Sequence, residues 1–310
     1  MTLVDAPASR GRHPESAPLT VAVIGTGAIG QDLVSKINDS DVLECALVAG
    51  RNPESAGLRH AALLGCPTTA DGIDAILAAP RPFHVVFDAT SAMAHAEHWR
   101  LLRPLGTLLI DLTPSRTGRM VVPTVTGVQP PPDGNVSLIS CGGQAAIPVA
   151  HALADRFDVT YVEVVSTVAS SIAGRATRLN LDEYVATTQH ALAAFTGVSR
   201  TKAILNISPA VPPARFRTTV HAVLPRAEGL EVRSAVREAA ERVRRFAPGY
   251  RVLACDVRDD LVTVTVEVVA DSDVLPPYAG NLDIIDSAAV LVAEQHAARL
   301  ATASPKGAGR

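Results

Sequence analysis

The sequence predicts an α/β protein, a doubly wound parallel sheet joined to a second domain of α+β type. Three observations carry this expectation. Short apolar runs alternate with helical patterns through the first half of the chain, and from about residue 158 the rhythm changes to long β-branched strands. The 310 residues also suffice for two cores at roughly 100–200 residues per domain. Hydrophobic residues at 47% against 19% charged place the chain among globular proteins. Aromatics are only 4%, so those cores must be built from Val, Ala, Leu and Ile.

Residues 1–19 are rich in Pro, Ser, Ala and Arg and lack the apolar stretch of a signal peptide. They read as a disordered tail, as does the terminal SPKGAGR. Val21–Gly25 reads as a buried strand, followed by a Gly-rich turn and a helix around Ile29–Ile37. Leu43–Ala49, Val85–Asp88, Thr107–Asp111 and Val136–Ile139 are further strands, with helices near Pro53–Leu64, Asp71–Ala79 and Ala92–Leu102. An apolar helical pattern then runs from Cys141 to about Phe157, with Pro148 placed near its tolerant first turn. The second domain reads as strands at Thr160–Ser170, Thr201–Ile207, Phe216–Leu224 and Leu261–Ala270, with helices near Leu181–Phe195 and Leu230–Phe246. That pattern implies an antiparallel or mixed sheet. Asp286 reads as the cap of a last helix, Ser287–Leu300, that returns to the first domain. The expected division is 20–139 for a dinucleotide-binding domain, joined by the helix at 286–302, and 140–285 for a catalytic and dimerisation domain. The Pro-rich stretch Pro130–Gly134 marks the junction.

Lys plus Arg (28) against Asp plus Glu (31) leaves a net charge of −3. That is no electrostatic footprint for nucleic acid or an anionic membrane. No apolar run reaches the roughly 18 residues of a membrane span. Four cysteines, none spaced as CxxC, are neither a disulfide framework nor a zinc signal, and the expected compartment is a reducing cytoplasm.

The sharpest local signal is VAVIGTGAIG, Val21–Gly30. Gly25, Gly27 and Gly30 form GxGxxG after a strand and at the start of a helix, with Thr26, Ala28 and Ile29 between them. The first glycine permits the tight turn. The second lets backbone N–H groups approach a pyrophosphate, and the third lets the helix pack against the strand. The second strand ends Ala49–Gly50–Arg51–Asn52, with no acid for a ribose 2′-OH. Arg51 is either a partner for a 2′-phosphate or an exposed surface arginine, so NAD and NADP both stay open.

The second signal is Ser140–Cys141–Gly142–Gly143–Gln144, between a strand and a helix. A thiol there meets the positive end of the helix dipole, and the glycines are expected to leave N–H groups open. Both effects lower a thiol pKa and prepare an oxyanion site. On spacing alone, Cys141 is either a nucleophile supported by Gly142, Gly143 and Gln144 or a buried structural cysteine. Cys45, Cys66 and Cys255 read as packing residues. A thiolate beside a nicotinamide would add to an aldehyde, lose hydride to the cofactor and leave a thioester for an acceptor nucleophile.

Six motifs carry a resemblance across nearly the whole chain from Val21 onward: VIGTGAIGQDL at Val23–Leu33, FDATSAMAH at Phe87–His95, IDLTPS at Ile110–Ser115, SCGGQAAIP at Ser140–Pro148, NLDEY at Asn180–Tyr184 and PPYAGNLDI at Pro276–Ile284. At these residues the chain is similar to the acylating acetaldehyde dehydrogenases, which usually partner a 4-hydroxy-2-oxovalerate aldolase in meta-cleavage catabolism of aromatic compounds. The resemblance implies a Rossmann-like domain joined to a dimerising catalytic domain like that of aspartate-semialdehyde dehydrogenases. It implies Cys141 as nucleophile and conversion of a short aldehyde, NAD and coenzyme A to acyl-CoA and NADH. It further implies a homodimer, Asn281 on the nicotinamide carboxamide, and Ala89, Thr90 and Ser91 along the cofactor cleft.

The chain departs from that family at three places. Where the family has an Asp in RDTV, this chain reads Arg217–Thr218–Thr219–Val220, and Thr218 cannot serve as a base at neutral pH. His221 is expected on the opposite strand face. The family's AGPGTR becomes Ala173–Arg178, where Arg175 and Arg178 are candidate contacts for a phosphate or carboxylate, or solvated loop arginines. The stretch between Tyr250 and Leu261 is shorter than the family's loop. Two other readings therefore stand beside the acylating one: reduction of an acyl phosphate or another activated acid, and a non-catalytic cofactor-binding subunit.

Overall fold

The computed structural model describes residues 17–127, 134–226 and 228–303. The expected N-terminal tail up to residue 16, most of the Pro-rich junction and the terminal SPKGAGR lie outside the described residues. The first layer is a seven-stranded, all-parallel sheet in the order β3-β2-β1-β4-β5-β7-β6. Its strands are β1 (Leu19–Ile24), β2 (Leu43–Ala49), β3 (Thr68–Thr69), β4 (Val85–Asp88), β5 (Leu108–Asp111), β6 (Arg119–Met120) and β7 (Asn135–Ser137). Val21, Val23, Val85, Phe87, Leu109 and Ile110 are fully buried, because helices cover both faces. The helices are α1 (Ala28–Asn38), α2 (Ala56–Leu63), α3 (Ile73–Leu77), α4 (Ala92–Leu102) and α5 (Pro123–Thr126). The two-residue strands β3 and β6 extend the sheet beyond the strands expected from hydrophobic runs.

The second layer is a five-stranded mixed sheet in the order β11-β12-β10-β8-β9. It consists of β8 (Tyr161–Ala169), β9 (Thr201–Ser208), β10 (Arg217–Val223), β11 (Tyr250–Arg258) and β12 (Leu261–Val268), antiparallel except for the β8–β9 pair. One face packs on α6 (Cys141–Arg156), α8 (Leu181–Thr196) and α9 (Gly229–Arg244). Small residues nearly all round let α6 be buried on every side, with Gly142–Ala150, Ala152 and Leu153 all enclosed. The short α7 (Arg175–Leu179) precedes α8, and α10 (Gly280–Ala303) packs on α1 beside the first sheet.

Three expectations need correction. The stretch treated as a shortened loop after Tyr250 is strand β11, paired with β12 through the two-residue turn Asp259–Asp260. Its alternation is broken by a bulge between Val252 and Ala254, beside the exposed Leu253. Pro148 is the eighth residue of α6, not a first-turn residue, so it withholds a backbone donor in the helix interior. Asp286 does not cap α10. The helix already begins at Gly280, where a Cβ would stand 1.9 Å from the Val268 carbonyl oxygen, and Asp286 lies inside it, fully buried.

That interior position is sustained by a charge cluster between α1 and α10. Lys36 Nζ stands 2.7 Å from Asp283 Oδ1 and 3.7 Å from Asp32 Oδ2. Burial alone would lower the Lys36 pKa, but the carboxylates overcome it and hold the ammonium above its usual value. Burial raises both Asp283 and Asp286, and the neighbouring Asp32 adds to the rise of Asp286. Replacing Lys36 by Met is expected to cost about 3 kcal/mol in urea unfolding at neutral pH, because it strands buried carboxylate charge. The difference from the parent protein should narrow as pH falls and the raised Asp283 takes up its proton.

A second buried cluster sits at the carboxyl ends of β4 and β5. Asp88 Oδ1 accepts from the Thr90 N–H (3.1 Å) and hydroxyl (2.5 Å). Its Oδ2 lies 3.0 Å from His95 Nδ1 and 2.8 Å from His98 Nδ1. Burial opposes ionisation of Asp88, yet its two imidazole partners hold it well below the usual carboxylate range. Burial pushes neighbouring Asp111 up to about 7. A carboxyl raised in the folded state keeps a proton that the unfolded chain has already released above about pH 4, so stability is lost as pH rises to about 7. Asp111→Asn should flatten the fall in stability between about pH 4 and 7, measured by urea unfolding at a series of pH values.

Candidate active site

The carboxyl ends of the first sheet face the second sheet across a cleft of about 280 Å³. In one wall β1 turns into α1. Gly25 takes φ +112°, and a Cβ on Gly30 would stand 2.0 Å from the Gly25 carbonyl oxygen. By contrast a Cβ on Gly27 would meet nothing within 4 Å, so this turn leaves space over a helix start that no side chain caps. Gly27, Ala28 and Ile29 line the cleft together with Ala89, Thr90, Cys141 and Asn281. Gly25, Thr26 and Gly30 build the turn from behind, where the Thr26 hydroxyl accepts from Ser55 (2.8 Å). Ser91 caps α4 by accepting from the Ala94 N–H, and Arg51 stands exposed beyond the end of β2.

Cys141 is the first residue of α6. The chain reaches it through Ile139, a buried β-branched residue held at φ +69°, a conformation that costs about 1–3 kcal/mol. Ser140 caps the helix, its Oγ accepting from the Gly143 N–H at 3.0 Å and standing 2.7 Å from Thr188 Oγ1. Gln144 clamps the approach from below by donating to the Val121 and Leu138 carbonyls at 2.7 and 2.9 Å. The strained residue, the cap and the clamp hold the thiol at the cleft surface.

The N–H groups expected to be open are engaged. Gly142 donates to Tyr184 Oη at 3.1 Å, Gly143 donates to Ser140 Oγ, and Gln144 donates to the Ser140 carbonyl. An oxyanion site built on those glycine N–H groups is therefore not what the fold provides. The thiol pKa is likewise not lowered overall. Burial pushes it up, and hydrogen bonds from Tyr184, Asn281 and the backbone N–H groups of Gly142 and Cys141 offset only part of that rise. Burial also raises Tyr184 well above its usual value, so its phenol stays a neutral donor.

Among the described residues lining the cleft, Cys141 and Tyr184 are the only titratable side chains. The far wall is apolar or small, with Val168, Ile172, Ala173, Gly174 and Leu205. Two buried polar atoms on the wall, Asn281 Oδ1 and Thr113 Oγ1, have no partner in the described protein. Thr218 is buried behind the cleft with its Oγ1 3.0 Å from Ser166 Oγ, and His221 faces away, 3.1 Å from Thr263 Oγ1. Arg178 donates to the Ala173 carbonyl and to the carbonyl and hydroxyl of Ser170, tying down the loop rather than reaching the cleft. Arg175 opens α7, and its side chain lies outside the described residues. Sequence reasoning passed over Thr113, Ser166 and Tyr184. The one available signal was Asn180 and Tyr184, spaced to lie one turn apart on α8, and both line the cleft.

Residues 141–276 match the family model of the prokaryotic acetaldehyde dehydrogenase dimerisation region. An acetaldehyde dehydrogenase of Streptomyces griseus is 69% identical over 288 residues, covering 93% of both chains. One from Pectobacterium atrosepticum is 46% identical over 88% of this chain and 94% of its own, and one from Spirochaeta aurantia is 42% identical over 93% and 98%. These relatives span both sheets and the cleft between them, and the chain belongs to the acetaldehyde dehydrogenase family.

Proposed function

We propose that the protein is an acylating aldehyde dehydrogenase, converting a short aldehyde such as acetaldehyde, NAD(P) and coenzyme A to acyl-CoA and NAD(P)H. The observation that carries this reading is the placement of the Cys141 sulfur in the same cleft as the Gly27–Ile29 turn and Asn281. The residues present fit a nicotinamide dinucleotide. The open space over Gly27 and the uncapped start of α1 suit a pyrophosphate. The partnerless Asn281 Oδ1 and Thr113 Oγ1 suit a carboxamide. When bound, that cofactor supplies the hydride acceptor. NAD and NADP are both carried forward, because the end of β2 offers Arg51 and no carboxylate.

The chain's own residues perform the remaining chemistry. Cys141, as thiolate, adds to the aldehyde carbonyl, forming the C–S bond of a thiohemiacetal. Oxidation leaves the acyl group on the same sulfur as a thioester. The thiol of coenzyme A, releasing its proton to water, then forms a new C–S bond to the acyl carbon, and the bond to Cys141 breaks with its electron pair returning to the sulfur. Val168, Ile172 and Leu205 give the acyl chain an apolar wall and keep water from the thioester. The alternative of an acyl phosphate loses Arg178 as an anion contact, since its guanidinium is spent on the loop carbonyls. A homodimer is the expected assembly. The half-exposed face of the second sheet, with Val165, Thr167, Thr219 and Thr265, offers a surface for the partner copy.

Absorbance at the nicotinamide band, with NAD and NADP each crossed with coenzyme A, phosphate or no acceptor, tests this directly. Turnover is expected with coenzyme A, and phosphate-dependent turnover in its place would overturn the assignment. Cys141→Ser should lower aldehyde-dependent reduction by at least about a thousandfold while the dissociation constant for the dinucleotide stays unchanged.

A further inference from the structure

The cleft holds a cysteine nucleophile but, among the described residues lining it, no carboxylate, imidazole or amine to take its proton. Among the described residues, the elements packed around the sulfur bring no such group to it either. On α8 the facing group is Tyr184, on α10 it is the neutral Asn281, and on β8 it is Ser166. The charged groups of α10, Asp283 and Asp286, turn instead toward Asp32 and Lys36 of α1. His221 lies on the other face of β10.

What does reach the sulfur is a line of buried hydroxyls. Cys141 Sγ lies 3.9 Å from Tyr184 Oη, and the Tyr184 and Ser166 hydroxyls come together beside Gly142, where Ser166 draws the phenol's pKa down. Ser166 Oγ is 3.0 Å from Thr218 Oγ1, at directly paired positions of β8 and β10. Gly142 is required for this line to pass. A Cβ there would stand 2.1 Å from Tyr184 Oη and 2.5 Å from Ser166 Oγ, closer than side-chain atoms can come.

We infer that Thr218, Ser166 and Tyr184 form a directed hydrogen-bond chain that supports the Cys141 thiolate, with Tyr184 as a catalytic residue and Ser166 and Thr218 as positioning residues. The inference rests on Cys141 being the nucleophile of the proposed function. Direction follows from proton counting. The Gly142 N–H can only donate, so it occupies an acceptor site on Tyr184 Oη. While Cys141 is a thiol, its S–H points at Oη. Once that proton has left to solvent water, the sulfur can only accept, and the Tyr184 O–H turns to donate to it. Ser166 then donates to Oη, and Thr218 donates to Ser166. Each bond polarises the next toward the anion, in a site sheltered from bulk water. The same phenol serves the last step of turnover, donating to the Cys141 sulfur as the thioester C–S bond breaks and the electron pair returns there. With no carboxylate among the described residues lining the cleft, the thiolate is stabilised by dipoles alone.

The test is the pH dependence of Cys141 alkylation by iodoacetamide, followed site by site by mass spectrometry on the full-length protein. It needs no aldehyde and no acyl acceptor, so it reads the chain even if the assignment of coenzyme A fails in the turnover assay. Tyr184→Phe is expected to move the apparent thiol pKa upward by about one unit, roughly a tenfold loss of thiolate at neutral pH. Ser166→Ala and Thr218→Val should move it in the same direction by smaller amounts, and Thr218→Ser should restore the parent profile. Circular dichroism and dinucleotide binding, expected to be unchanged, confirm that the variants are folded. An unaltered alkylation profile in folded Tyr184→Phe overturns the inference. So does a shift in Tyr184→Phe with none in Ser166→Ala or Thr218→Val.

Discussion

The structure depends on how the chain enters α6. This helix is buried on nearly every face, and its first turn brings a side chain into the same cleft as the Gly27–Ile29 turn and the second sheet. Ile139 accepts a left-handed backbone to aim the chain, Ser140 satisfies the helix start, and Gln144 fastens the turn to the carbonyls of Val121 and Leu138. A buried helix start without such partners would leave orphan donors at a cost of about 1–3 kcal/mol each. Satisfying them here consumes the glycine N–H groups and leaves the thiol as the group that faces the cleft. The position of the Cys141 thiol and the lack of a backbone oxyanion site are two results of the same packing.

Charge is distributed to match. The ionisable clusters, Asp88 with His95 and His98 on one side and Lys36 with Asp32, Asp283 and Asp286 on the other, brace the turns that carry Thr90 and Asn281 from behind. The cleft itself carries no fixed charge among its described lining residues. In such a site a developing anion is felt strongly, and small dipoles such as a phenol and an amide count for more than they would in water. Among the described residues no helix is long and apolar enough to cross a membrane, and no group of three or more His, Cys, Asp or Glu side chains is placed to hold a metal.

Much of the architecture was legible in one dimension. The switch from βα alternation to long β-branched strands located both sheets, and the GxGxxG spacing located the turn of α1, because those features depend on neighbours only a few residues apart. Legibility failed wherever a residue's role depended on distant partners. Asp286 looks like a cap because a carboxylate beside a helical pattern usually faces water; here Lys36 and Asp32, some 250 positions earlier, allow it to be buried inside a longer helix. Strand β11 lost its signal because a bulge between Val252 and Ala254 breaks its alternation. Tyr184 sits in a recognisable segment, but nothing local says that its hydroxyl meets Gly142 across 42 positions of sequence.

Local spacing and residue type already carry the two-layer α/β plan, the glycine-rich turn at Gly25–Gly30 and the cysteine singled out at a helix start. The thiol's environment, by contrast, arises only on folding. Burial set the direction of its pKa, the folded first turn took the N–H groups that spacing had left open, and strand pairing brought Thr218 and Ser166 behind Tyr184. The physical reason is that desolvation and hydrogen-bond partnership are properties of enclosed space, and that space exists only once segments remote in the chain have packed together.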